Sequence, residues 1–176
     1  MKSEMKFLVF VHGYLGGSQQ WPEQVKALSS DFRVITPDLP GFGLSDKMQT
    51  PETINGLAQY VLDELDKAGV DRFHLVGHSM GGMIVQEMTA IAPERVEKLV
   101  LYGTGSIGKM PGRFETIEES RQRLMQDGVK ATARRIAATW FLHGEDSASY
   151  EGCAAIALMA QQQAAFMELG ALLLLL

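Results

Sequence analysis

Short apolar runs alternate with stretches in which apolar residues recur every three or four positions, and this continues over the first hundred residues. Lys6 to Val11 shows no helical period and reads as a buried strand. Trp21, Val25 and Leu28 fall at i, i+4 and i+7, which predicts an amphipathic helix over 20–29. Arg33 to Pro37 is the second strand. Thr50-Pro51-Glu52 then offers a capping hydroxyl followed by proline, a helix start. Ile54, Leu57, Ala58, Val61, Leu62, Leu65 and Ala68 keep the helical period, and Gly69 ends it. Phe73 to Val76 is the third strand. Met83 to Ala92 is helical and apolar on nearly all sides, as suits a helix buried under the centre of a sheet. Lys98 to Tyr102 is the fourth strand.

From Arg113 onward the pattern is helical only. Ile117, Leu124 and Met125 are sparse, and Ala131 to Leu142 is denser, with Arg134 and Arg135 expected on a solvated face. Cys153 to Leu169 is rich in Ala and Met. Alternating strand and helix implies an α/β fold, a mainly parallel sheet with right-handed crossovers in a three-layer α/β/α arrangement. Ligands of such sheets bind at the carboxyl ends of the strands.

The bulk properties narrow the classes. At 176 residues the chain is one domain by length. With 46% hydrophobic and 21% charged residues, it is ordinary globular material. A formal net charge of -5 argues against a nucleic-acid surface. The lone Cys153 leaves no internal disulfide framework and fits a reducing compartment. Phe7 to Val11 is too short for a signal-peptide core and runs into His12-Gly13 instead of a small-residue cleavage site. No run is long enough to span a membrane, so the expectation is a cytoplasmic protein. No internal repeat is present.

The chemistry concentrates at Gly77-His78-Ser79-Met80-Gly81-Gly82, between the third strand and its helix. A chain that reverses sharply there needs small neighbours. Gly77 and Gly81 let the turn close, and Gly82 lets the helix lie against the sheet. Ser79 then stands at the tip in a strained backbone conformation, and the Met80 amide opens the helix where an oxyanion would form. The bland alternative is a Gly-rich loop with an incidental serine. A second loop, His12-Gly13-Tyr14-Leu15-Gly16-Gly17, leaves the first strand, and its bland reading is a plain turn with His12 as a structural hydrogen-bonder. A third, Asp38-Leu39-Pro40-Gly41-Phe42-Gly43-Leu44-Ser45-Asp46, leaves the second.

Together these motifs resemble the α/β-hydrolases. The Gly-x-Ser-x-Gly turn is similar to that family's nucleophile elbow, the His-Gly-x loop to its oxyanion loop, and the Asp38 segment to its D-x-P-G-x-G-x-S turn. The resemblance covers Phe7 to about Gly105. It implies that Ser79 is the nucleophile and that the Tyr14 amide is the second oxyanion donor beside Met80. His12 and Gly13, with Gly77, His78, Gly81 and Gly82, would shape the loops. The Asp38 turn corroborates the fold and carries no derivable chemistry. Residues 106–170 resemble the helical cap that many members insert, in which Met159, Phe166 and Met167 would either line a pocket or simply pack helix to helix. The domain expectation is a core at 1–105, a cap at 106–170 and a Leu-rich tail at 171–176. By the resemblance, the substrate is a small carboxylic ester, a lactone or an activated carbon–carbon bond, with no metal or organic cofactor. Ser rather than Asp at the elbow argues against the branches that use a carboxylate nucleophile.

The resemblance also fails in places. In the family an acid and then a His follow the serine in chain order. Here the histidines are His12, His74, His78 and His143. Leu142-His143-Gly144-Glu145-Asp146-Ser147 resembles an acid loop, but Ser147 occupies the acid's place, and the stretch reads as a cap helix end. The family's first two strands have no counterpart, and Leu172 to Leu176 encodes neither face nor cap, so a partial chain is expected. Two other classes stay open. One is a non-catalytic binding protein on the same fold. The other is a nucleotide-binding module using Gly103-Thr104-Gly105-Ser106-Ile107-Gly108-Lys109, against which Met110 and Pro111-Gly112 argue: the first cannot reach magnesium and the second break the helix that should follow. The family's sheet order places the strands as 33–37, 6–11, 73–76, 98–102, with outer edges open to association into a homo-oligomer.

Overall fold

Leu8 and Phe10 point one way from the first strand, Val9 and Val11 the other, and all four are buried. That alternation decides the layers. In the computed structural model, which describes residues 5–45, 47–106 and 117–161, β1 (Lys6–Val11) lies inside a four-stranded sheet. Its partners are β2 (Phe32–Ile35), β3 (Phe73–His78) and β4 (Val96–Tyr102). The order is β2-β1-β3-β4, and every pairing is parallel. This is the order expected from the sequence, with the elbow strand interior.

On one face, Leu8 and Phe10 meet Trp21, Val25 and Leu28 of the segment leading into and forming α1 (Pro22–Leu28). The Phe10 and Trp21 rings are 4.9 Å apart. On the other, Val9 and Val11 join Leu57, Val61 and Leu65 of α2 (Ile54–Lys67) and Ile84, Val85 and Met88 of α3 (Met80–Ile91). Helix, sheet and helix make the three layers. A larger cluster under α2 and α3 and a smaller one under α1 together form the core.

Several boundaries differ from the sequence expectation, each for a local reason. The cap of α2 is Thr53, not Thr50: the Thr53 side chain accepts the Gly56 N–H at 2.9 Å, the spacing an N-cap requires. Thr50 is buried, and its hydroxyl donates to the Pro40 carbonyl. At the far end the expected glycine stop holds. Gly69 has φ +70°, and the N–H groups of Gly69 and Val70 donate back to Asp66 and Leu65, a Schellman closure. α1 starts late, at Pro22, after a 3-10 turn over Ser18–Gln20. β2 ends at Ile35, where its ladder with Val9 ends. β3 runs on to His78 because Gly77 and His78 pair with Leu101 and Tyr102. α3 therefore begins at once, at Met80, and its apolar composition does not bury it all round: Met83 is half-buried and Ile91 exposed.

Beyond β4, α4 (Ile117–Ala138) and α5 (Tyr150–Gln161) form a hairpin around a 3-10 turn at Gly144–Asp146. Gly128, at φ 78° and ψ 173°, breaks α4 into two helices. Ala133 and Ala137 bury against the same cluster as Tyr150, Ala154 and Ala157, since small side chains let the helices approach. Arg134 was expected on a solvated face but is half-buried. Its guanidinium lies over the Tyr150 ring and makes a two-pronged pair with Glu151, at 2.7 and 3.0 Å. Among the described residues no helix is long and apolar enough to cross a membrane.

Candidate active site

Ser79 sits between the end of β3 and the first turn of α3 at φ 54° and ψ -121°. A side-chain-bearing residue rarely adopts this conformation, so the surroundings must enforce it. They do so from both sides. The Ser79 N–H donates to Tyr102 O at 3.0 Å. The Ser79 carbonyl accepts from the Gly82 N–H at 2.9 Å and from the Thr104 hydroxyl at 2.7 Å. The glycines are dictated by contact. A Cβ at 77 would lie 2.5 Å from Gly81 O, one at 81 would lie 2.2 Å from Val11 O, and one at 82 would lie 2.4 Å from Thr104 Cγ2.

The His12–Gly17 loop meets this turn directly. A Cβ on Gly13 would stand 2.9 Å from Ser79 Cβ and 3.0 Å from His78 O. Tyr14 follows Gly13 and Met80 follows Ser79, so their amides flank one contact. The Tyr14 ring itself packs edge-on to Phe42, 6.3 Å between centroids.

His12 is fully buried, and both ring nitrogens are engaged. Nδ1 pairs with Gly13 O at 2.8 Å, and the Leu39 N–H donates to Nε2 at 3.1 Å. An acceptor on one side and a donor on the other assign the proton to Nδ1. Burial pushes its pKa down from 6.5 to about 4, so the ring is neutral. His12 therefore ties its own loop to the next, the structural part that the sequence suggested.

Three side chains outside the expected set complete the arrangement. Asp38 accepts from Ser18 N at 2.6 Å, Ser18 Oγ at 3.1 Å and Leu44 N at 3.1 Å, locking the loops after β1 and β2 together. The Gln20 amide donates to His78 Nδ1 at 2.8 Å. The His78 ring is wedged between Trp21 and Tyr102, and burial lowers its pKa. Thr104 holds the Ser79 carbonyl. The pointer to Asp38 was its place at the exit of a strand opposite a Gly-rich loop; no local pattern marks Gln20 or Thr104.

None of the four histidines hydrogen-bonds the Ser79 hydroxyl. His12 and His78 are engaged as described. His74, near the other end of β3, faces Glu97 at 3.4 Å. His143 and Asp146 are exposed at the turn between α4 and α5, with no strand before them. Ile156 and Met159 of α5 face Gly16, Gly17, Gln19, Asp38 and Gly43 across a cavity of about 30 Å³, so the hairpin lies over the same loops. Phe166, Met167 and Leu172–Leu176 lie outside the described residues, as do Ile107, Gly108 and Lys109 of the phosphate-loop look-alike. Among the described residues no three His, Cys, Asp or Glu side chains are grouped to hold a metal ion.

A sequence model of the alpha/beta hydrolase fold matches residues 6–141. The chain belongs to the α/β-hydrolase fold family. It is 38% identical over 102 residues to a dihydrolipoyllysine-residue acetyltransferase component of an acetoin cleaving system from Pseudomonas putida, covering 58% of this chain and 28% of that protein. To a 2-hydroxy-6-oxononadienedioate/2-hydroxy-6-oxononatrienedioate hydrolase of Paraburkholderia phymatum it is 36% identical over 124 residues, 68% of this chain and 42% of the relative. The enol-lactonase from Burkholderia xenovorans LB400 superposes with a TM-score of 0.78 at 24% identity, over 97% of this chain and 64% of that one, a likeness of fold. The chain thus spans less than half the length of these curated relatives.

Proposed function

We propose that this chain carries the nucleophile and oxyanion hole of a serine hydrolase. The observation that carries the reading is Ser79 itself, held at φ 54° on the strand-to-helix turn with the Gly13 backbone against it. In this reading Ser79 Oγ attacks a carbonyl carbon, and the resulting oxyanion is held by the Tyr14 and Met80 amides. The leaving group departs as the acyl or carbon–carbon bond breaks, and water releases the product from serine. The general base is a His–acid pair supplied from outside these 176 residues. The substrate class is a small carboxylic ester, a lactone or an activated carbon–carbon bond, and the name of the 36%-identical hydrolase supports the last. The hairpin of α4 and α5 acts as a cap over the loops. No cofactor is required, and the reaction belongs in the cytoplasm.

The test is covalent. In the complete enzyme, where the His–acid pair is present, a fluorophosphonate probe should label Ser79, and Ser79→Ala should abolish labelling and reduce ester turnover by on the order of 10⁶ without unfolding the protein. Labelling at another serine, or turnover that survives the substitution, would sink the assignment. A second reading, a non-catalytic binding protein on the same fold, is favoured by the lack of a hydrogen bond between any of the four imidazoles and the Ser79 hydroxyl: three have other partners and His143 is exposed. It expects no labelling at all.

A further inference from the structure

Gly103-Thr104-Gly105 opens the phosphate-loop look-alike, yet in the fold its threonine serves the elbow. We propose that the Thr104 hydroxyl is a positioning group for the oxyanion hole: it sets and strengthens the Met80 N–H by holding the other end of the same peptide unit. The inference rests on the serine-hydrolase reading above.

The argument is geometric. The carbonyl of Ser79 and the N–H of Met80 belong to one planar peptide, and no described peptide bond is cis. The two groups therefore point in opposite directions, and fixing one aims the other. The carbonyl accepts from the Gly82 N–H and, at 2.7 Å, from Thr104 Oγ1. The hydroxyl has a single proton, and its other acceptor, Gly105 O, is more distant at 3.3 Å. A carbonyl that accepts hydrogen bonds also polarises its own N–H, which becomes the better donor.

The position is built for this contact. The Thr104 side chain occupies the space a Cβ at 82 would need, so it reaches Ser79 only because residue 82 is glycine. Gln86 Nε2 donates to Gly82 O at 3.0 Å and Gly105 O at 3.1 Å, clamping the 103–105 turn onto α3. The end of β4 thus grips both faces of Ser79, its N–H through Tyr102 O and its carbonyl through Thr104.

Thr104→Val keeps the shape and removes the donor, while Thr104→Ser keeps the donor. In the full chain, the Met80 amide proton should move upfield in Thr104→Val and return in Thr104→Ser, read by ¹H–¹⁵N correlation. In the complete enzyme that supplies the His–acid pair, with a Ser79-dependent ester, Thr104→Val should lower kcat about three- to tenfold at unchanged KM, as the loss of one ordinary hydrogen bond made to matter only in the transition state. Affinity for a trifluoromethyl ketone should fall by the same factor, and Thr104→Ser should restore both. An unmoved Met80 resonance in Thr104→Val overturns the proposal, whether or not the chain turns over ester. Turnover independent of Ser79 overturns the serine-hydrolase reading instead, and the amide shift still decides the role of Thr104. If Thr104→Val loses its fold by circular dichroism, Thr104→Ala is read in the same way.

Discussion

Gly13 and Tyr14 are adjacent, yet the structure gives them opposite sensitivities. Gly13 has no room for a side chain, because a Cβ there already lies 2.9 Å from Ser79 Cβ and 3.0 Å from a backbone oxygen. The Tyr14 ring packs away against Phe42. If the loop works through its backbone, Gly13→Val should displace an oxyanion donor and cost roughly 3 kcal/mol in the barrier. Tyr14→Phe should leave turnover nearly unchanged. The reverse pattern in kcat would mean that the phenol, not the amide, is used. His12 yields a second residue-scale prediction, with its sign fixed by burial. Its folded pKa of about 4 lies below the ordinary 6.5, so the unfolded chain takes up a proton first as pH falls. Stability is therefore complete above pH 6.5 and is lost as pH falls toward 4. Between pH 7 and pH 5 the His12 contribution should decline by about 2 kcal/mol. Urea midpoints over that range should show a shallower slope in His12→Asn, and an identical slope would refute the role. His78 titrates in the same direction, so some slope remains.

At the scale of elements, the sequence was most readable where a local rule suffices. The four strands, the helix ended by Gly69 and the elbow glycines all follow from periodicity and from the space a tight turn allows. The start of α2 shows how two local rules can compete. Thr50-Pro51 has the look of a cap, but Thr53 stands three residues before Gly56 and makes the bond. Thr53→Ala should therefore cost about 1 kcal/mol by thermal or urea unfolding. A Thr50 substitution should act instead through its bond to Pro40 O, and a larger loss of α2 helicity there than at Thr53 would reverse the assignment. What could not be read locally is what joins elements: Gln20 to His78 is 58 residues apart, Thr104 to Ser79 is 25, and Asp38 to Ser18 is 20. Such pairs leave no period and no spacing in the chain. The same holds for Arg134, whose charge suggested solvent until Glu151 and Tyr150 were placed beside it.

The molecule as a whole presents one conspicuous surface. β4 is an outer strand of the described sheet, and its last residues are exposed: Val100 at 51%, Leu101 at 45% and Tyr102 at 65%. Because β4 pairs in register with β3, Val100 and Tyr102 project on the α1 face and Leu101 on the other, so neither layer covers the strand. An outer strand with apolar side chains and open backbone groups is a template for pairing with another chain. β2, at the opposite edge, is better covered, since Val34 and Ile35 are half-buried. The 176-residue chain is therefore expected to self-associate at micromolar concentration, and to do so through β4 rather than β2. Lysine is the residue that most discourages edge pairing, and Val100 projects outward where a charge would meet water. Val100→Lys should shift light scattering toward the monomer while the circular dichroism spectrum and the Ser79 environment stay as they are. Arg33, already charged on β2, supplies the control: Arg33→Glu should leave the association unchanged. A monomer across the concentration range, or association relieved only by changes on β2, would show that the exposed face of β4 does not drive it.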